Sequence, residues 1–234
     1  MQIMKTYILT SFFLLIGLCG FTQDLKFEVR GKYTRPIHRE KLNNANTLGD
    51  VMPYYPSAWI DSYSSVEVST VSNGTPMSAP GDNEMLNEYQ KDLLRSADLG
   101  SDVVINIIYK TDNAATRESM TRIIHYDVTI VPEMEATYLT GTEDMIAYLK
   151  KNTIDKIDEE IAKKLTPTIV GFTVTAEGKI AEATITKSSG DAGTDKLLLK
   201  AISKMPKWKP AQTTDGTKVK QEFELVVYDG KTGC

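Results

Sequence analysis

The chain has 234 residues, with 27 Lys+Arg against 31 Asp+Glu and a formal net charge of −4. Hydrophobic residues make up 41% and charged residues 25%, an ordinary globular composition that argues against wholesale disorder or coiled coil. The acidic balance argues against a nucleic-acid face. The two cysteines, Cys19 and Cys234, and the two histidines, His38 and His125, are too few and too scattered for a disulfide framework, a zinc knuckle or a His-rich metal site.

The chain opens with Lys5 and an apolar run from Tyr7 to Phe21, broken only by Thr10, Ser11, Gly17 and Gly20. At ~1.5 Å per residue the run spans about 22 Å, short of the ~30 Å hydrocarbon core. It reads as a secretory signal peptide over residues 1–22, with Gln23 as the first mature residue. The rival readings are lipidation at Cys19, where Leu18 stands in place of the small residue a lipobox wants, and an uncleaved anchor. All three export the rest of the chain, and a membrane contact follows only from a lipidated Cys19 or a retained leader.

Leu25 to Val29 alternate in polarity as a strand does. Met52 to Ile60 mix aromatics with two prolines and read as a packed extended segment. Val66, Val68 and Thr70 alternate along a strand, and Asn73-Gly74 is a strong hairpin signal because both residues tolerate positive φ. A helix is expected over about 84–97, capped by Asp82 or Asn83, with Met85, Leu86, Tyr89, Leu93 and Ala97 at helical spacing and Gly100 closing it. Val103, Ile105, Ile107 and Tyr109 mark the next strand. Ile124, Tyr126, Val128 and Ile130 mark another, which Pro132 stops.

From Glu143 to Lys164 a charged helical stretch breaks at Asn152-Thr153 and ends before Pro167. Val170, Phe172 and Val174 then alternate along a strand. Glu177-Gly178-Lys179 makes a tight turn, and Ile180 to Lys187 return. Ser188 to Asp191 form a polar loop. Asp191 or Thr194 caps a helix carrying Leu197, Leu198, Ala201, Ile202 and Met205, which Pro206 ends. Lys207-Trp208-Lys209-Pro210 continues extended. The last strand, Lys220 to Tyr228, places Phe223, Leu225 and Val227 on one face and Glu222, Glu224 and Val226 on the other. This order is strand, turn, strand, helix, strand, and a similar order is read in the N-terminal unit, with a strand at 66–71, the Asn-Gly turn, a helix at 84–97 and a strand at 103–110, which suggests an internal duplication.

The blocks Val170 to Val174, Glu177-Gly178-Lys179-Ile180, Leu197 to Ile202 and Met205-Pro206-Lys207-Trp208-Lys209-Pro210, with Gly216 and Val219, resemble the C-terminal domain of TonB. The likeness is greatest to energy transducers of the Bacteroidetes and covers about residues 141–228. It implies a small periplasmic α+β domain with helices against an antiparallel sheet. In transducers this domain grips a segment of an outer-membrane receptor, the TonB box, by strand addition at a sheet edge. Carried onto this chain, the edge is the last strand with its flank, so the implied partner-binding residues are Lys220, Glu222, Phe223, Glu224, Leu225, Val226 and Trp208. The departures are a leader that reads as cleavable, no Pro-rich spacer, no Tyr-Pro pair in the helical lead-in, and Thr166-Pro167-Thr168 where the family has a lead-in glycine.

The expected architecture is therefore α+β. A leader at 1–22 precedes a β-rich α+β domain at 23–135 and a TonB-like domain at 136–234 with a β-β-α-β unit. No catalytic motif is visible: the carboxylates of Asp155, Asp158, Glu159 and Glu160 read as a solvated face, and His125 and Ser188-Ser189 as structural. The expected function is docking of an envelope protein strand, an outer-membrane receptor segment among the candidates, in the periplasm and without cofactor or metal. A structural homodimer built through the same edge is the alternative.

Overall fold

Two apolar patterns in the sequence produce two cores. The computed structural model describes residues 25–112, 116 and 118–230. The expected leader, its variants at Cys19 and Gln23, and Cys234 lie outside the described residues. The N-terminal elements are β1 (Leu25–Gly31), β2 (Pro36–His38), α1 (Arg39–Asn43), α2 (Leu48–Val51), β3 (Ser62–Ser72), β4 (Thr75–Gly81), α3 (Glu88–Ser96), β5 (Asp102–Asp112) and β6 (Ser119–Val131). They are followed by β7 (Thr137–Tyr138), α4 (Thr142–Asn152), α5 (Glu159–Ala162), β8 (Thr168–Val174), β9 (Ile180–Lys187), α6 (Ala192–Ser203), β10 (Trp208–Lys209), β11 (Ala211–Gln212), β12 (Lys218–Val219) and β13 (Gln221–Asp229). Among the described residues no helix is long and apolar enough to cross a membrane.

The first core lies under a five-stranded sheet of order β2-β6-β5-β3-β4. Alternation sends Val66, Val68, Val103, Ile105, Ile107, Val128 and Ile130 to one face, where Leu42, Leu48, Val51 and Leu94 close over them. Asn73 and Gly74, at φ 49° and 72°, make a two-residue turn. Their N–H groups both donate to the Asp98 carboxylate, at 3.0 and 2.8 Å. The returning strand β4 is hard to read in sequence because it carries Pro76 and Pro80. It is an edge strand, where a missing N–H is tolerated.

Helix α3 starts later than its apolar spacing suggests. Its cap is Asn87, in a reciprocal box with Gln90, rather than Asp82 or Asn83. Asn83 instead accepts from the Met85 N–H at 2.7 Å, and Met85 and Tyr89 face solvent. Gly100 does not end the helix. The Arg39 guanidinium does, donating to the carbonyls of Leu94 and Ala97. Burial there lowers the pKa of Arg39 from its ordinary value.

The second core lies under the antiparallel sheet β1-β13-β8-β9. The sheets share one plan. In each, a hairpin (β3-β4 or β8-β9) is followed by a helix packed on it (α3 or α6) and a strand (β5 or β13) antiparallel to the hairpin's first strand. A fourth strand pairs antiparallel outside that one: β6 in the first sheet, β1 in the second. The fourth strand differs in origin, since β6 follows β5 directly whereas β1 comes from the other end of the described chain. Leu25–Gly31 therefore belong to the C-terminal sheet, not to the 23–135 unit in which the sequence reading placed them.

The Met205 to Pro210 block has a mechanical reason. Trp208 is 5% exposed and packs against Tyr138, Phe172 and Phe223, with ring centroids 5.8, 5.9 and 5.1 Å away. Its N–H donates to the Gly178 carbonyl at 2.8 Å. Gly178, at φ 73°, lies so close that a Cβ would stand 2.0 Å from the Trp208 carbonyl oxygen. The turn glycine and the tryptophan block are thus one joint. Beyond it, the Ser188-Ser189 loop is tied down by Asp195, which accepts from Ser188 Oγ at 2.6 Å, Ser189 Oγ at 2.6 Å and Ser189 N at 2.9 Å. Burial alone would raise the Asp195 carboxyl, but these donors outweigh it and hold it below its ordinary value.

Gly178→Ala is expected to destabilise the protein by about 2 kcal/mol in urea unfolding, since it adds both a clash and a left-handed backbone penalty. Asp195 contributes stability above the ordinary carboxylate pKa of ~3.9, and that contribution is lost as pH falls through its lower folded value. Asp195→Asn should lower stability by about 1 kcal/mol at neutral pH and flatten the acid limb of the unfolding midpoint. An unchanged acid limb would contradict that assignment.

Candidate partner-binding site

The last strand is interior to its sheet, with β8 on one side and β1 on the other. The expectation that it forms an open edge is corrected, because the chain's own N-terminal strand already pairs with it. The ladder runs without a shift from Leu25↔Asp229 to Gly31↔Phe223. Lys32 extends it, its N–H donating to the Glu222 carbonyl at 3.0 Å.

The residues named from the sequence divide by face. Phe223 and Leu225 are buried in the core, Phe223 stacking on Phe172 at 5.7 Å between centroids. Trp208 is buried with them, so it is a core plug and presents nothing to a partner. Lys220 is exposed but stands between β12 and β13 rather than in the strand. Glu222, Glu224 and Val226 line the opposite face, half-buried between the neighbouring strands β1 and β8.

The residues that β1 brings to this place complement those of β13. On the core side, Leu25 is buried, and Phe27 and Val29 are half-buried against the cluster that holds Phe223, Leu225 and Val227. On the other face Arg30 meets Glu224 at 3.3 Å and Lys32 meets Glu222 at 2.6 Å. The hydrogen bond to Glu222 is the main cause of the raised pKa of Lys32, which burial opposes. Arg30 and Lys32 are each about half exposed, with Glu224 the more covered of the two carboxylates, so each pair is worth about 1 kcal/mol. The sequence reading recognised β1 as a strand but missed its role. The usable signal was the match between Leu-x-Phe-x-Val with Arg and Lys two apart, and Glu-x-Glu in the last strand.

The remaining sheet edges are blunted. Strand β9 carries two register shifts, and its Glu182 sits at φ 52°, accepting from Thr173 Oγ1 at 2.8 Å. Strand β4 has its prolines, and β2 is three residues long and parallel to β6. His125 is exposed, with Nδ1 2.7 Å from Asn106 Oδ1, and Asp158 caps α5 through the Glu160 N–H at 2.8 Å. Among the described residues, no group of three or more His, Cys, Asp or Glu side chains is placed to hold a metal ion.

No curated protein and no solved structure matches the chain. One family model does, the one described as Gram-negative bacterial TonB protein C-terminal, over residues 164–228. That span begins before β8 and ends within β13, so it takes in the hairpin, α6, the Trp208 block and the last strand, and it leaves out β1. The likeness to the TonB C-terminal domain family thus lies in residues 164–228, the hairpin-helix-strand unit of the second sheet.

Proposed function

We propose that this is an exported cell-envelope protein whose C-terminal domain binds a protein partner in the periplasm by β-strand addition, linked to TonB-dependent transport across the outer membrane. The observation that carries the reading is the position beside β13, which accepts a strand from a distant part of the chain through backbone pairing. Backbone hydrogen bonds along such a strand give affinity, and alternate side chains give selectivity. The family match supports an envelope setting and a binding role rather than catalysis. The first domain, with its blunted edges, serves as a closed scaffold that holds β1 through the link from Lys32 to Arg35.

A self-associating envelope protein is the second reading. It is favoured by one observation: any second copy carries a β1 that fits the same position.

Synthetic segments from the plug regions of outer-membrane receptors, titrated into the purified protein, test the first reading. Binding with micromolar affinity supports it. Absence of binding to every segment, together with a stable dimer by light scattering, would establish the second reading instead.

A further inference from the structure

We propose that β1 is a resident stand-in for the partner strand. The position beside β13 is a strand-binding site that the chain fills itself, and an incoming segment enters by exchanging with β1. The preferred segment is an extended peptide antiparallel to β13. It has apolar residues at the places of Leu25, Phe27 and Val29 and basic residues at those of Arg30 and Lys32. This rests on the reading of the C-terminal unit as a strand binder and adds which strand it takes and what must leave.

Four observations carry the proposal. The span that matches the family, residues 164–228, includes β13 but not β1. The first sheet fills the corresponding place with β6, so the shared plan requires a fourth strand there. Strand β1 has one neighbouring strand, and its side-chain hold is a buried leucine, two half-buried apolar residues and two ion pairs whose cations are about half exposed. An incoming strand of the same pattern recovers each of these interactions, which is the condition under which strand exchange is least costly. Addition outside β1 would recover none of the core contacts. It would also meet an edge whose outward side chains, Lys26, Glu28 and Arg30, are all charged and exposed.

Glu222 and Glu224 then set selectivity. They stand two residues apart on the face of β13 away from the core and hold the two cations of β1. A strand with acidic residues at those places puts like charges opposite each other across the ladder.

The test uses a fluorescent peptide with the sequence of residues 25–32 and the full chain in a Cys19→Ser, Cys234→Ser background. Glu28 and Val226 are directly opposed in the ladder, so Glu28→Cys with Val226→Cys can lock β1 by a disulfide. Fluorescence anisotropy should show peptide binding to the reduced double variant and to the parent, and binding weaker by at least about tenfold to the oxidised form. Equal binding to the oxidised form would overturn the proposal, because the peptide would then be adding elsewhere. No binding in any arm would also overturn it, while leaving the receptor-segment titration to decide the binding role on its own. A second measurement does not need the disulfide. A peptide with Arg30→Glu and Lys32→Glu should lose affinity for the parent by about tenfold and regain it for the Glu222→Lys, Glu224→Lys protein. Failure of that rescue would overturn the assigned selectivity.

Discussion

The pairing of β1 with β13 holds the C-terminal half of this protein in its observed form. A strand buried on one face exposes its backbone groups along any side that lacks a neighbour, and β13 would do so without β1. Seven residues from the far end of the described chain supply the missing neighbour. The same ladder fixes the path of the chain, since β1 must finish in one sheet before Lys32 to Arg35 deliver β2 to the other. The two sheets are thus tied by a shared stretch of backbone as well as by the linker between β6 and β7. Gln221 reinforces the crossing, its side chain accepting from the Ala136 N–H at 2.7 Å and donating to Glu135 at 3.1 Å.

The repeated plan explains why one protein handles this edge in two ways. In the first sheet β6 is the next strand after β5 and pairs antiparallel beside it. In the second, no hairpin partner follows β13 among the described residues. There the chain's own β1 takes the place. The Gly178–Trp208 joint matters to the same arrangement. It seats Trp208 against Phe172 and Phe223, and so stiffens the two strands on which an added strand must register.

Much of this was legible locally. The alternations at Val103 to Tyr109 and Val170 to Val174, the Asn73-Gly74 turn, the break at Thr153 and the end at Pro206 each follow from the conformational preferences of their own residues. The misplaced start of α3 had a local cause too: Asn83 and Asn87 both suit a cap, and only Asn87 has Gln90 three residues on to complete the box. What sequence could not reveal was non-local. Trp208 reads in sequence as a plug beside the last strand rather than a stacking platform, but the partners that bury it, Gly178 among them, are distant in the chain. The last strand reads as an edge because nothing near it in sequence marks β1 as its neighbour. The complementary patterns of the two strands were both visible, but periodicity carries no information about which strands meet.

The ladder between β1 and β13 also has a history in time. Arg30 and Glu224 are 194 positions apart, and a chain is made from its N-terminal end. The cost of closing so long a loop grows only logarithmically with length, so distance weighs little on the finished sheet. Its weight falls on the order of events, because pairings of high sequence separation form late. The first of the described strands to be synthesised has no neighbour until β13 has been made, so the nascent chain carries an unsatisfied amphipathic strand over that interval.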